Sequence, residues 1–151
     1  MRSRLPPRRS LGYVALGGAV GAVTRVAFAT WFPPAPGAFP WVTFLENVTG
    51  AFLLALLLTL LTERLALDPA VRLLLCTGAL GAFTTYSTLA VEVDGLVRGG
   101  ATWLAGLYAT TSVLLGLLAA LLGVRLARRW PGGRGPRGAH GATGPGGEPG
   151  S

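Results

Sequence analysis

Gly78-Ala79-Leu80-Gly81-Ala82-Phe83-Thr84-Thr85-Tyr86-Ser87-Thr88 lies inside an apolar run from Val71 to Val91, long enough to cross a bilayer. Two glycines three apart precede five consecutive hydroxyl residues, Thr84 to Thr88. In hydrocarbon, a backbone that leaves the helix exposes N–H and C=O groups that find no water. Such a break survives only where protein or a polar pathway covers it. Gly78 and Gly81 weaken the helix, and the hydroxyls can take up the freed backbone groups. Close helix packing through small residues is the competing explanation. Five hydroxyls in a row behind two glycines favour a broken membrane helix that handles a small ion.

The rest of the chain fits that setting. Of its 151 residues, 51% are hydrophobic and 13% charged, and the mean hydropathy is +0.55. A soluble domain carries about a quarter charged residues. The isoelectric point near 11.3 would suggest nucleic acid in a soluble protein. Here the basic residues, all arginines, sit at the ends and in short loops, which points to membrane topology and away from nucleic acid. Cys76 and His140 are each alone, so an intramolecular disulfide is excluded, and a zinc site or a Cys/His nucleophile pair would need more ligands than the chain supplies. No carboxylate pair has general acid/base spacing, so the chain does not read as an enzyme.

Going outward from the broken segment, four spanning helices are expected, at about 11–32, 41–62, 71–91 and 101–124. Together they make an all-α membrane domain over 11–124. It is flanked by a basic N-terminus, 1–10, and by a tail, 125–151, that is basic and then Gly/Pro-rich. The tail is expected to be disordered. In the first span, Gly17 and Gly21 form a small-xxx-small face for helix contact. Arg25 is its only charge. It either snorkels toward the helix end or holds a buried polar network. Pro33, Pro34, Pro36 and Pro40 make a rigid loop flanked by Trp31 and Trp41. In the second span, Thr43 and Asn47 are four apart and share a face. Glu46 lies about 100° round from Asn47. In the fourth span, Tyr108 and Ser112 share a face.

Four spans put both termini on one side of the membrane. That side carries eleven arginines and the other only Arg98, with Arg25 inside a span. By the positive-inside rule both termini are cytoplasmic. A small hydrated anion needs donors to replace its water, and hydroxyls, an amide and aromatic ring edges supply them. Asn47, Tyr86, Ser87, Thr88 and Tyr108 form a candidate donor track. Carbonyls freed at a helix break can also bind a hard cation such as Na⁺. Four short spans are too few to wall a pore, so a dimer is expected.

Three segments resemble the Fluc (CrcB) family of fluoride channels. Gly17-Gly18-Ala19-Val20-Gly21-Ala22-Val23-Thr24-Arg25 resembles its GGxxGAxxR. Pro40-Trp41-Val42-Thr43-Phe44-Leu45-Glu46-Asn47-Val48-Thr49-Gly50 resembles its PWGTLxVNxxG. Gly81-Ala82-Phe83-Thr84-Thr85-Tyr86-Ser87-Thr88-Leu89-Ala90-Val91-Glu92 resembles its GGFTTFSTFSxE. The resemblance covers about residues 12 to 124. It implies a multi-pass protein of the bacterial plasma membrane, working as an antiparallel, dual-topology dimer that lets cytoplasmic fluoride leak out passively. It also implies a structural Na⁺ held by the backbone carbonyls of Gly81 and Thr84. The implied fluoride pathway falls on Asn47, Ser87, Thr88, Tyr108 and Ser112, with Thr43 on the Asn47 face. The two pore phenylalanines fall on Tyr86 and Leu89. Arg25 and Glu92 fall on structural polar positions.

Three departures stand out. Tyr86 adds a hydroxyl to its ring, and Leu89 has no ring. Glu46 replaces an aliphatic residue beside the pore asparagine, and an ionised carboxylate there would repel an anion. The charge bias sets one orientation, whereas an antiparallel homodimer needs two. Some members of the family pair non-identical subunits, so a heterodimer with a related subunit of opposite orientation is expected here. Two other functions compete. One is a small proton-coupled multidrug exporter, for which Glu46 would be the membrane carboxylate. The other is a non-conducting assembly subunit of a heterodimeric channel.

Overall fold

The computed structural model describes residues 7–65 and 68–131. Residues 1–6 and the tail from 132 onward, with its expected disorder, lie outside the described residues. Helix α1 spans Pro7–Trp31, four residues earlier than the apolar run begins. Proline suits the first helical position, because its missing N–H would be unpaired there and its φ is already helical. A turn follows, in which Gly37 adopts φ 71° and Ala38 N–H bonds Ala35 O at 3.0 Å. Helix α2 spans Trp41–Thr59 and continues through wide π-type turns over Leu60–Arg64.

The third span is in two pieces. Its first piece, α3, starts at Pro69–Arg72 with the Asp68 carboxylate accepting from Ala70 N–H. It runs on as a π-helix over Leu73–Leu80 and closes with Gly81–Phe83. Thr84 (φ −77°, ψ 147°) leaves the helix, and Thr85 (φ −144°, ψ 123°) is extended. The second piece, α4, spans Tyr86–Arg98. Helix α5 spans Thr102–Arg129, a turn beyond the apolar run. There Arg128 reaches back to Glu63 at the end of α2, at 3.0 Å. All four spans are long and apolar enough to cross a membrane.

Helix α2 packs along α5, and α1 packs along α3. The second contact is made by backbone. A Cβ on Gly17 would strike the Leu74 carbonyl, and one on Gly21 the Ala79 carbonyl. From the other side, a Cβ on Gly78 would stand 2.7 Å from Val14 O and 2.9 Å from the Gly17 Cα. Gly78 therefore serves close approach; the helix breaks six residues later.

Large apolar side chains mostly point outward. On α5, Val113, Leu114, Leu117, Leu118, Leu121 and Leu122 are all exposed. That suits lipid, whose tails are as apolar as leucine. The buried apolar cluster is small: Phe44, Leu96, Ala105 and Tyr108, with Phe39, Val48 and Leu89 packed against it. It sits at the end of the bundle away from the termini, where Trp31, Trp41 and Trp103 are exposed at interface depth.

Candidate functional site: the break in the third span

Thr84 N–H still closes the last turn onto Leu80 O at 3.1 Å, but the extended Thr85 takes its partners from a neighbouring helix. Asn47 of α2 meets Thr85 in both directions. Thr85 N–H donates to Asn47 Oδ1 at 2.8 Å, and Asn47 Nδ2 donates to Thr85 O at 3.0 Å. Two atoms of one primary amide thus satisfy both polar groups of one peptide-bonded residue. Above the break, Thr85 Oγ1 caps α4 by accepting from Thr88 N–H at 3.1 Å. The same oxygen lies 3.1 Å from Thr88 Oγ1 and 3.2 Å from Ser87 Oγ. Below it, Arg25 Nε donates to Ala82 O at 3.3 Å. Arg25 is half-buried, and this contact to the backbone beside the break is its one hydrogen bond among the described residues.

These contacts leave particular carbonyls without their helical donors. In an unbroken helix, Thr85 N–H would bond the Gly81 carbonyl and Thr88 N–H the Thr84 carbonyl. Here the first donates to Asn47 and the second to Thr85 Oγ1. The donor set is therefore of the right kind for a hard cation, which takes carbonyl oxygens. Among the described residues, no group of three or more His, Cys, Asp or Glu side chains gathers to hold a metal.

A second cluster stands further along α4. Glu92 accepts from Thr43 Oγ1 at 2.7 Å and from Tyr108 OH at 2.6 Å. Thr43 is 3% exposed and Tyr108 fully buried. A hydroxyl has one hydrogen to give, and for these two it goes to Glu92. Their oxygens remain available as acceptors, and the phenol ring keeps its edge. Ser112, one turn below Tyr108, is buried, and its Oγ has no partner.

The expected pathway residues thus fall into two groups. Thr43, Tyr108 and Ser112 are inside the bundle, with Asn47 and Thr88 half-buried beside them. Tyr86 and Ser87 face outward, Tyr86 being 83% exposed, and Gly81, one of the expected Na⁺ positions, is exposed as well. Leu89 turns inward onto the buried apolar cluster. Sequence reasoning missed Thr85 as the hub of the break and Ala82 as the acceptor for Arg25. The capping role of Thr85 was detectable, since a threonine three residues ahead of the amide it bonds is a helix-start signal. The Ala82 contact spans 57 positions and had no local signal.

Residues 12–124 match the family described as CrcB-like protein, Camphor Resistance (CrcB). Over 121 residues the chain is 45% identical to the fluoride-specific ion channel FluC 1 of Mycobacterium bovis, covering 80% of this chain and 92% of that one. Over 114 residues it is 47% identical to the fluoride-specific ion channel FluC of Thermus thermophilus, covering 75% and 89%. Over 119 residues it is 42% identical to the FluC channel of a Roseiflexus species, covering 78% and 96%.

Proposed function

The chain belongs to the CrcB family, and from that premise we infer that it is a subunit of a fluoride-specific ion channel. The family is one of channels, not enzymes. The observation that carries the reading to this chain's own residues is the two-way amide bond between Asn47 and Thr85. It holds open a helix break inside an apolar span, and it lines that break with hydroxyls.

The mechanism follows from the donors that remain. Fluoride loses water on entering, and Ser87 Oγ, Thr88 Oγ1, Ser112 Oγ and the second N–H of the Asn47 amide replace it. The ring edges of Tyr86 and Tyr108 add positive partial charge. Leu89 adds an apolar wall, and Thr43, whose hydrogen goes to Glu92, holds that carboxylate beside the path. Flow is passive and lowers cytoplasmic fluoride. Arg25 and Glu92 act by holding the break and α4 in place.

A Na⁺ ion would be held by the carbonyls of Gly81 and Thr84 and would supply fixed positive charge there. The outward-facing Gly81, Tyr86 and Ser87 support a second subunit as the other wall, in an antiparallel dimer. The arginine asymmetry supports cytoplasmic termini and a partner of opposite orientation, hence a heterodimer.

The test is fluoride efflux from proteoliposomes, read with a fluoride electrode against chloride. Rapid, fluoride-selective efflux from this chain alone would support the channel and refute the obligate heterodimer. If the chain conducts only beside a related subunit of opposite charge bias, Ser112→Ala in this chain decides its part, since Ser112 Oγ has no partner to lose. A fall in flux makes the chain pore-lining. Unchanged flux makes it an assembly subunit.

A further inference from the structure

We propose that the cleft between α1 and α2 beside Glu46 binds a hydrophobic organic ammonium cation. The cleft is separate from the break and has a volume of about 440 Å³, within the usual range of small-molecule sites. Its walls include Phe28 of α1, Phe32 just past the end of α1, Trp41 of α2 and Phe83 of α3. Phe32 and Trp41 are 60% and 61% exposed, so the mouth of the cleft is open.

The one ionisable group in these walls is the Glu46 carboxylate. Thr49, the other polar residue there, already donates to the Leu45 and Glu46 carbonyls. Glu46 is 5% exposed, and its Oε1 has no hydrogen-bond partner. A desolvated carboxylate without a partner is costly. The charges that reach it are Arg25 of α1 and Glu92 of α4. Arg25 makes no ion pair with it, and its Nε is held by Ala82 O. Glu46 Oε1 thus has neither a hydrogen-bond donor nor an ion-pair partner among the described residues.

The surroundings say which cation fits. A metal ion wants several oxygens at once, and this cleft offers one carboxylate among aromatic faces. Aromatic faces attract an organic cation, and the apolar walls bury its body. A primary, tertiary or quaternary ammonium carrying an aryl or alkyl group satisfies both demands.

The experiment is calorimetric titration of the purified full chain in maltoside micelles. The probes are benzyltriethylammonium and its uncharged carbon analogue, with empty micelles as the blank. Wild type should bind the cation at least tenfold more tightly than the analogue. Glu46→Gln should weaken the cation at least tenfold and leave the analogue unchanged. Phe28→Leu should weaken both. The proposal is overturned by a cation that binds Glu46→Gln less than tenfold more weakly than wild type. An analogue equal to the cation, or a wild type that binds neither because a second copy or lipid fills the cleft, overturns it too. If Glu46→Gln is not monodisperse, Glu46→Asp takes its place. Retracting the carboxylate by one methylene should weaken the cation at least threefold, and a smaller change counts against the site. The readout is binding, so it stands apart from the outcome of the fluoride assay.

Discussion

The two halves of the third span are held by opposite means. Before the break, α3 lies against α1 at backbone distance, with glycines on both sides and little side-chain chemistry between them. After it, α4 is fixed by directed hydrogen bonds: Thr85 caps it, and Glu92 ties it to Thr43 of α2 and Tyr108 of α5. One half depends on the absence of side chains and the other on their identity. A membrane protein has little hydrophobic driving force between its helices, so close fit and polar contacts carry the fold. Here the two are separated by two residues of extended chain.

The largest effect should come from breaking the fitted half. Gly21→Leu drives a side chain into the Ala79 carbonyl, which belongs to rigid backbone. Overpacking against side chains that can shift costs about 1–3 kcal/mol; here the obstacle is backbone, so the two helices must separate. The expected outcome is loss of the monodisperse peak on size exclusion and loss of fluoride efflux with it.

Next comes the hinge between the halves. Asn47→Ala leaves the Thr85 N–H and C=O without partners, at about 1–3 kcal/mol each. A marked fall in melting temperature in detergent is expected, together with at least a tenfold loss of efflux. A protein of unchanged stability would contradict the bonding described.

A smaller effect sharpens the polar half. Glu92→Gln weakens two charge-assisted bonds, each worth about 1.5–3 kcal/mol when charged. Tyr108→Phe removes one of them. The double variant should lose clearly less than the sum of the singles, because both act on the same carboxylate. Additive losses in thermal melts would mean that Tyr108 and Glu92 act apart.

The smallest effect lies at the ends. Arg128 and Glu63 form a bidentate but exposed pair, and such pairs contribute little. Arg128→Ala should melt and conduct indistinguishably from wild type.

The four spans and the broken third helix were legible because both are written locally, in apolar run lengths and in a glycine-hydroxyl cluster. The position of the break was less legible. Gly78 and Gly81 drew attention as weak points, yet Gly78 lies in a π-helical stretch pressed against α1, and the chain leaves the helix at Thr84. That outcome depends on Gly17 and Gly21, some sixty residues away in sequence. The π-type turns over Leu60–Arg64 and Leu73–Leu80 have no composition of their own. Asn47 was picked out as a donor for an ion; its bond to Thr85 spans 38 positions and follows no spacing rule. Tyr108 was read as a donor and Thr43 as sharing the Asn47 face, and only their shared closeness to Glu92 reveals where both hydrogens point.

The amide of Asn47 also has a consequence for biogenesis. A span with a gap in its backbone bonding is poorly suited to enter a bilayer by itself, since its bare peptide groups would meet lipid. The residue that fills this gap lies in the preceding span and so leaves the ribosome first. By the time Thr85 emerges, Asn47 has already been delivered to the membrane. Chain order therefore lets α2 act as a template waiting for the break. A circular permutation that moved α2 to the C-terminus would have to insert an unfinished third helix.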